Sequence, residues 1–276
     1  MTSKKSLCIL FFFILQALTG CTTPHRARSP LPMLSPQSSL ETIVNAVNST
    51  AQSLTGLRAS GTLTIQNNAA AATNTCSCLV VIKNPDKIMI KGYSPLIPNY
   101  FTLIITGDTF WYYIPHRDIV FTGPITALTK ESGYDITLHP RYIKYAFIPP
   151  LLSAPACTLG KRTATTTTLY ERFSQEPTSA IKNTYQIDNE YAYPSHRTAY
   201  LKSGIVDIII TYGELIRSGT LTYPRRITFF SEKEGTTISF SLTNLLFNPE
   251  IADSIFTMVI PEGVTQERIG AKTKSA

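Results

Sequence analysis

The chain has 276 residues, a net charge of +7, 43% hydrophobic and 16% charged residues. This is enough apolar material to fill the core of one large all-β domain or two small ones. Beyond the N-terminal stretch no second long apolar run occurs, which excludes a further membrane-spanning helix. The basic residues are scattered, which excludes a clustered nucleic-acid patch.

In chain order, Lys4 and Lys5 form a positive start, and Leu7 to Leu15 is an apolar run too short to cross a bilayer as a finished helix. Leu18-Thr19-Gly20-Cys21 closes this leader and resembles the lipobox of bacterial lipoproteins. The resemblance implies a signal peptide over residues 1–20 and a lipidated Cys21 as first residue of the mature protein. Several acyl chains on one cysteine imply stable anchoring, where one alone is marginal. Thr22, not Asp, follows the cysteine, which by the enterobacterial sorting rule points to the outer membrane. Residues 21–37 carry four prolines and read as an extended tether that holds a domain off the membrane.

A helix is expected next. Ser38 caps it with Glu41 three residues on, Leu40, Ile43, Val44, Val47, Ala51 and Leu54 line one face, and Gly56 ends it. From Leu57 the period changes to two, so Leu57, Ala59, Leu63 and Ile65 share the apolar face of a strand. After a polar loop at 67–75, strands are expected at 78–83, 87–91, 101–106 and 109–114, with turns at Pro85-Asp86 and Gly107-Asp108. Pro140 to Leu152 reads as a short apolar helix. Strand signals resume at 166–172, 184–189, 197–201, 205–212, 221–230 and 236–242, the last two joined at Glu234-Gly235. Phe256 to Ile260 is expected to add a closing strand, and residues 266–276 to be disordered. The sum is one domain over 38–265: about eleven antiparallel strands that must curl, with apolar helices against the concave face.

Three cysteines remain beyond Cys8 and Cys21. Cys157 can bridge to Cys76 or Cys78, or all three can be buried free thiols. Metal binding lacks a fourth ligand and a C-x-x-C spacing. No G-x-S-x-G, H-E-x-x-H, P-loop or G-x-G-x-x-G occurs, and His25, His116, His139 and His196 stand apart. No catalytic residue, metal or other cofactor is therefore assigned, and the chain is not expected to be an enzyme.

Several segments resemble the LolA/LolB-like lipoprotein carriers and receptors. They are Asn84-Pro85-Asp86-Lys87-Ile88, the aromatic hairpin 107–115, Tyr93-Ser94-Pro95-Leu96, Tyr223-Pro224-Arg225-Arg226-Ile227 and 256–264. The soluble carrier has Arg before the proline where this chain has Asn84, and it lacks the anchor, so the resemblance is closer to the LolB type. It implies a half-open antiparallel β-barrel whose helices cover a hydrophobic cavity for acyl chains. Candidate walls are Ile88, Ile90, Leu103, Ile105, Phe110, Trp111, Tyr112, Phe147, Phe229 and Phe240. Alternation puts Phe110 and Tyr112 opposite Trp111, so only one set can line it. Leu96 and Ile97, between two prolines, either protrude into lipid or fold over the rim. The implied role is a receptor in outer-membrane lipoprotein localisation, facing the periplasm, with acylated lipoprotein or lipid as ligand and a periplasmic carrier protein as partner. An assembly or sensor lipoprotein that uses the same fold for protein contacts is the alternative; a hydrolase is less supported.

Overall fold

The computed structural model describes residues 34–67, 71–127, 138–175, 179–231 and 235–270. The leader, Cys21, most of the tether and Glu234 lie outside these residues. Among the described residues no helix is long and apolar enough to cross a membrane.

The tether ends sooner than its prolines suggest. Leu34 is buried and its N–H donates to the Asn189 carbonyl at 2.8 Å. The Arg162 guanidinium donates to the carbonyls of Pro36 and Ser38. Helix α1 (Leu40–Ser53) starts at Ser39, whose hydroxyl accepts from Thr42 N–H, one residue after the expected cap. It buries Ile43, Val44, Val47, Thr50 and Ala51, and it ends at Leu54 in extended conformation, so Gly56 is not a left-handed cap.

Fourteen strands follow. The first meander is β1 (Gly56–Asn67), β2 (Ala72–Lys83), β3 (Lys87–Tyr93), β4 (Phe101–Thr106), β5 (Thr109–Ile114) and β6 (Ile119–Pro124). Helix α2 (Pro140–Phe147) then crosses to the second meander. This is β7 (Cys157–Arg162), β8 (Thr166–Arg172), β9 (Ile181–Asp188), β10 (Tyr193–Tyr200), β11 (Val206–Ser218), β12 (Leu221–Ser231) and β13 (Thr236–Phe247). Antiparallel pairing of β1 with β13 joins the two meanders into one sheet, with Leu63 opposite Phe240. At this seam the backbones approach so closely that a Cβ on Gly61 would lie 2.3 Å from the Ser241 carbonyl oxygen. The sheet is not a closed barrel and has fourteen strands, not about eleven; its edges are β14 (Thr265–Arg268) and β7.

Two departures from the sequence reading share one cause, strand segments without a buried face. The first half of β2 is exposed on both sides and is held by β1, where a period-two pattern has nothing to record. β14, in the stretch expected to be disordered, is polar and pairs parallel with β6 through its backbone alone. A third, β6, buries the consecutive residues Val120 and Phe121, so it shows no wet-and-dry alternation, and Gly123 and Pro124 end it. Residues 256–260 form no strand. Instead a 3-10 turn, Asp253–Phe256, and its neighbours lie across the back of β2 to β5, where Ile251, Phe256 and Met258 cover Val81, Met89, Ile104 and Trp111. Asp253 ties this strap down by ion pairs to Lys83 at 2.9 Å and Lys87 at 2.8 Å.

The opposite face carries the main core. Helix α2 touches both β4 and β12, five strand spacings apart. On a flat sheet that is about 24 Å, twice a helix diameter, so the sheet curls around α2. Helix α1 packs at the β7–β9 end in a separate cluster with Leu152, Leu169, Tyr185 and Ile187.

Candidate functional site

Nine of the ten expected wall residues come together on the face that holds α2. Ile88, Ile90, Leu103, Ile105, Phe110, Tyr112, Phe229 and Phe240 from the sheet, with Phe147 from the helix, form one buried cluster. Phe147 meets Phe240 edge-on at 4.8 Å, and Phe240 stacks on Phe229 at 6.3 Å. Trp111 does not belong to this set. Strand alternation turns it to the back face, against the strap.

The apolar face is filled by α2. Eight residues are too few for a helix to hold itself together in water, so α2 owes its existence to what it touches. Tyr142, Ile143, Ala146 and Phe147 are buried. Its last carbonyls, which lack intrahelical partners, are met from the sheet. Arg197 Nη1 donates to the Tyr145 carbonyl at 3.0 Å, and the Tyr212 hydroxyl to the same oxygen at 3.3 Å. The Tyr223 hydroxyl donates to the Phe147 carbonyl at 3.0 Å. A cation at a helix C-terminus also complements the helix dipole. Lys144 adds an exposed tie to the Gly107 carbonyl and Asp108 in the β4–β5 turn.

Arg197 was not foreseen, although it sits on β10 at the same parity as inward-facing Ala199, where a charge is out of place. It is 6% exposed. Its Nε donates to Asn183 Oδ1 at 3.1 Å, and its guanidinium lies over the rings of Tyr145 and Tyr185. Asn183 and Tyr185 both donate to Glu171, which also pairs with Lys182 at 2.9 Å. Burial alone would raise the Glu171 pKa; the bonds from Lys182, Asn183 and Tyr185 outweigh it and hold the carboxyl below its usual range. The helix-bearing face is thus apolar under β1–β5, β12 and β13, with a polar belt under β8–β11. Burial pushes the phenol of Tyr212 up to about 12 and those of Tyr185, Tyr193 and Tyr223 well above the ordinary value, so all four remain hydroxyl donors.

Leu96 and Ile97 protrude: Leu96 is 92% exposed on the β3–β4 loop, which is closed by the Ser94 N–H on the Ile97 carbonyl at 2.8 Å. Asn84, where the soluble carrier has Arg, donates to the Leu54 carbonyl at the end of α1. The expected bridge from Cys157 to Cys76 or Cys78 does not form. Seven strands separate β2 from β7, and all three thiols are free. Burial pushes the Cys78 thiol up to about 12 and that of Cys157 to about 11. Among the described residues no three His, Cys, Asp or Glu side chains gather into a metal site.

Fold and site together define a single curled β-sheet with a short helix seated on its apolar face. No protein-family model matches the sequence, and comparison with curated proteins finds no match. Solved structures do share the fold. A DUF1329 family protein from Desulfovibrio piger aligns with a TM-score of 0.59 and 11% identity over 81% of this chain and 98% of its own. A putative outer membrane lipoprotein-sorting protein domain from Vibrio parahaemolyticus gives 0.59 and 12% over 80% and 97%. A LolA superfamily protein from Nitrosomonas europaea gives 0.55 and 11% over 80% and 98%. The chain therefore has a LolA-like open β fold.

Proposed function

We propose that this chain is a lipid-anchored envelope protein that takes acyl chains of lipoproteins or lipids onto the apolar face of its sheet, with α2 as a displaceable lid. The lipobox-like Leu18–Cys21 supports the anchor, and Thr22 after it supports the outer-membrane, periplasm-facing location. The observation that carries the binding function is the way α2 is seated. Its side chains fill the apolar face while its C-terminal carbonyls hang on three side chains, Arg197, Tyr212 and Tyr223. An acyl chain can replace what leaves. Tyr142, Ile143 and Phe147 each contribute roughly 1.5–3 kcal/mol by burial, and each buried CH2 about 0.8 kcal/mol, so roughly a dozen methylenes offset the displaced side chains. Binding of this kind needs no catalytic group. Leu96, fully wet on an uncharged loop, is placed to touch a membrane or cargo during transfer in lipoprotein localisation.

Native mass spectrometry of the full chain purified from membranes tests this reading. We expect a co-purifying acylated ligand, released on unfolding, and uptake of a fluorescent fatty acid. A ligand-free chain that takes up no fatty acid overturns it. Leu96→Glu is expected to leave uptake unchanged and to slow transfer of cargo to vesicles; unchanged transfer removes Leu96 from the mechanism. Cys21→Ser is expected to abolish incorporation of labelled fatty acid, and continued incorporation removes the anchor.

A further inference from the structure

Strands alternate in direction, so the β3–β4, β8–β9 and β10–β11 connections all emerge at one end of the sheet. Four further exposed or half-exposed apolar residues accompany Leu96 there: Ile97, Phe173, Leu201 and Ile205. Below Phe173 and Leu201 opens a hollow of about 190 Å³, beside the first turn of α2 and the polar belt. Its volume equals that of roughly six waters in liquid.

The lining is cationic. Arg141 of α2, Lys182 of β9 and Lys202 of the β10–β11 turn face one carboxylate, Asp207. That carboxylate is already engaged by Arg141 and by the Tyr142 hydroxyl at 3.1 Å. Lys182 spends one donor on Glu171 and is 44% exposed, with two N–H groups left. Lys202 is exposed and makes no ion pair among the described residues. Asn183 and Tyr200 add neutral polar groups to the wall. Surplus positive charge, unspent N–H donors and an apolar lip are the complement of an anion carried on an apolar body.

We propose that this hollow binds a phosphoryl group, borne either by a phospholipid headgroup or by a soluble phosphoester. Lys202 and Lys182 supply charge and N–H donors to its oxygens, and Phe173 and Leu201 flank whatever the group is attached to. The proposal deepens the acyl-binding reading, on which only the course of a lipid's tails rests; Lys182 of β9 and Lys202 of the β10–β11 turn stay in place when α2 is displaced.

The test is calorimetric titration of the full chain in neutral detergent with glycerol 3-phosphate, dihexanoylphosphatidylglycerol and dihexanoylglycerol, which lacks phosphate. We expect both phosphates to bind, the lipid more tightly. Lys202→Glu should weaken both about tenfold, the worth of one charge-assisted hydrogen bond. Lys161→Glu, the same charge change on exposed β7, should weaken neither. Binding of glycerol 3-phosphate but not of the phospholipid assigns the site to soluble phosphoesters. The proposal is overturned if neither phosphate binds, if the two variants weaken binding equally, or if dihexanoylglycerol binds as tightly as the phospholipid. Uptake of dihexanoylglycerol alone would leave the acyl reading standing while removing this one.

Discussion

Phe147 seats α2, and truncating it to alanine tests whether the helix is a lid. The ring is fully buried, edge-on to Phe240 at 4.8 Å, and the residue's own carbonyl is held by Tyr223. A Phe→Ala change at such a site costs about 3–5 kcal/mol. If Phe147 were ordinary core or a wall of a preformed pocket, that cost would appear as lower stability with weaker or unchanged ligand binding. A lid behaves differently. Binding requires the open state, and apparent affinity is reduced by the fraction of molecules that are open. Phe147→Ala destabilises only the closed state, so it should raise that fraction and tighten binding. The ceiling is the full 3–5 kcal/mol, roughly two to four orders of magnitude; the floor that counts as support is about tenfold. A fluorescent fatty acid titrated into wild type and variant gives the affinities, and thermal unfolding without ligand should show the variant less stable. A folded variant that binds no more tightly than wild type refutes the lid.

Arg197→Met should cost about 3 kcal/mol in urea unfolding, because it strips a charged donor from the Tyr145 carbonyl and Asn183 at once. Arg197→Lys should recover little of this, since one ammonium cannot reproduce the planar fork; full recovery would show that charge alone matters. Hydrogen bonds and ion pairs from Lys87 and Lys83 hold Asp253 at about 2, below its ordinary 3.8. A depressed carboxyl stabilises the fold above the unfolded pKa and loses that contribution as pH falls from about 4 to about 2. Asp253→Asn should therefore flatten the acid limb of the stability curve in that window, and an unchanged limb would detach the strap from acid stability. Native protein at pH 8 should alkylate at Cys76 before Cys78 and Cys157, whose burial keeps them protonated. Mass spectrometry after iodoacetamide reads the order, and rapid labelling of Cys157 would contradict its placement.

What was legible in the sequence follows the water boundary. Where a strand has one wet and one buried face, its alternation marks both its existence and its orientation, as in β8; the limits of β4 and β5 also match the reading, but there turn residues bound apolar runs whose two faces are both covered. The same rule separates Phe110 and Tyr112 from Trp111, but it does not say which set faces the helix. That choice depends on the strap from the far end of the chain, which covers Trp111. Strands such as β14 carry no such boundary and escape a pattern search. The hydroxyl and guanidinium groups that hold α2 come from β10, β11 and β12, between 52 and 76 residues from their partners. No local spacing connects them, and Tyr212 and Tyr223 read as ordinary strand aromatics. Only Arg197, a charge at an inward parity, left a mark. The cysteine pairing failed for a related reason: parity within β2 is readable, whereas the position of β7 at the opposite edge of the sheet is not.

Photocrosslinking tests the central claim most directly. A fatty acid with a photoactivatable group near its methyl end, bound to the full chain and irradiated, should label peptides on the helix-bearing face of β3, β4, β12 and β13, at Ile90, Leu103, Phe229 or Phe240. Phe147→Ala should increase the yield without moving the sites. Labelling confined to the back face, at Met89, Ile104 or Trp111, or spread evenly over the surface, would contradict an acyl site beneath α2.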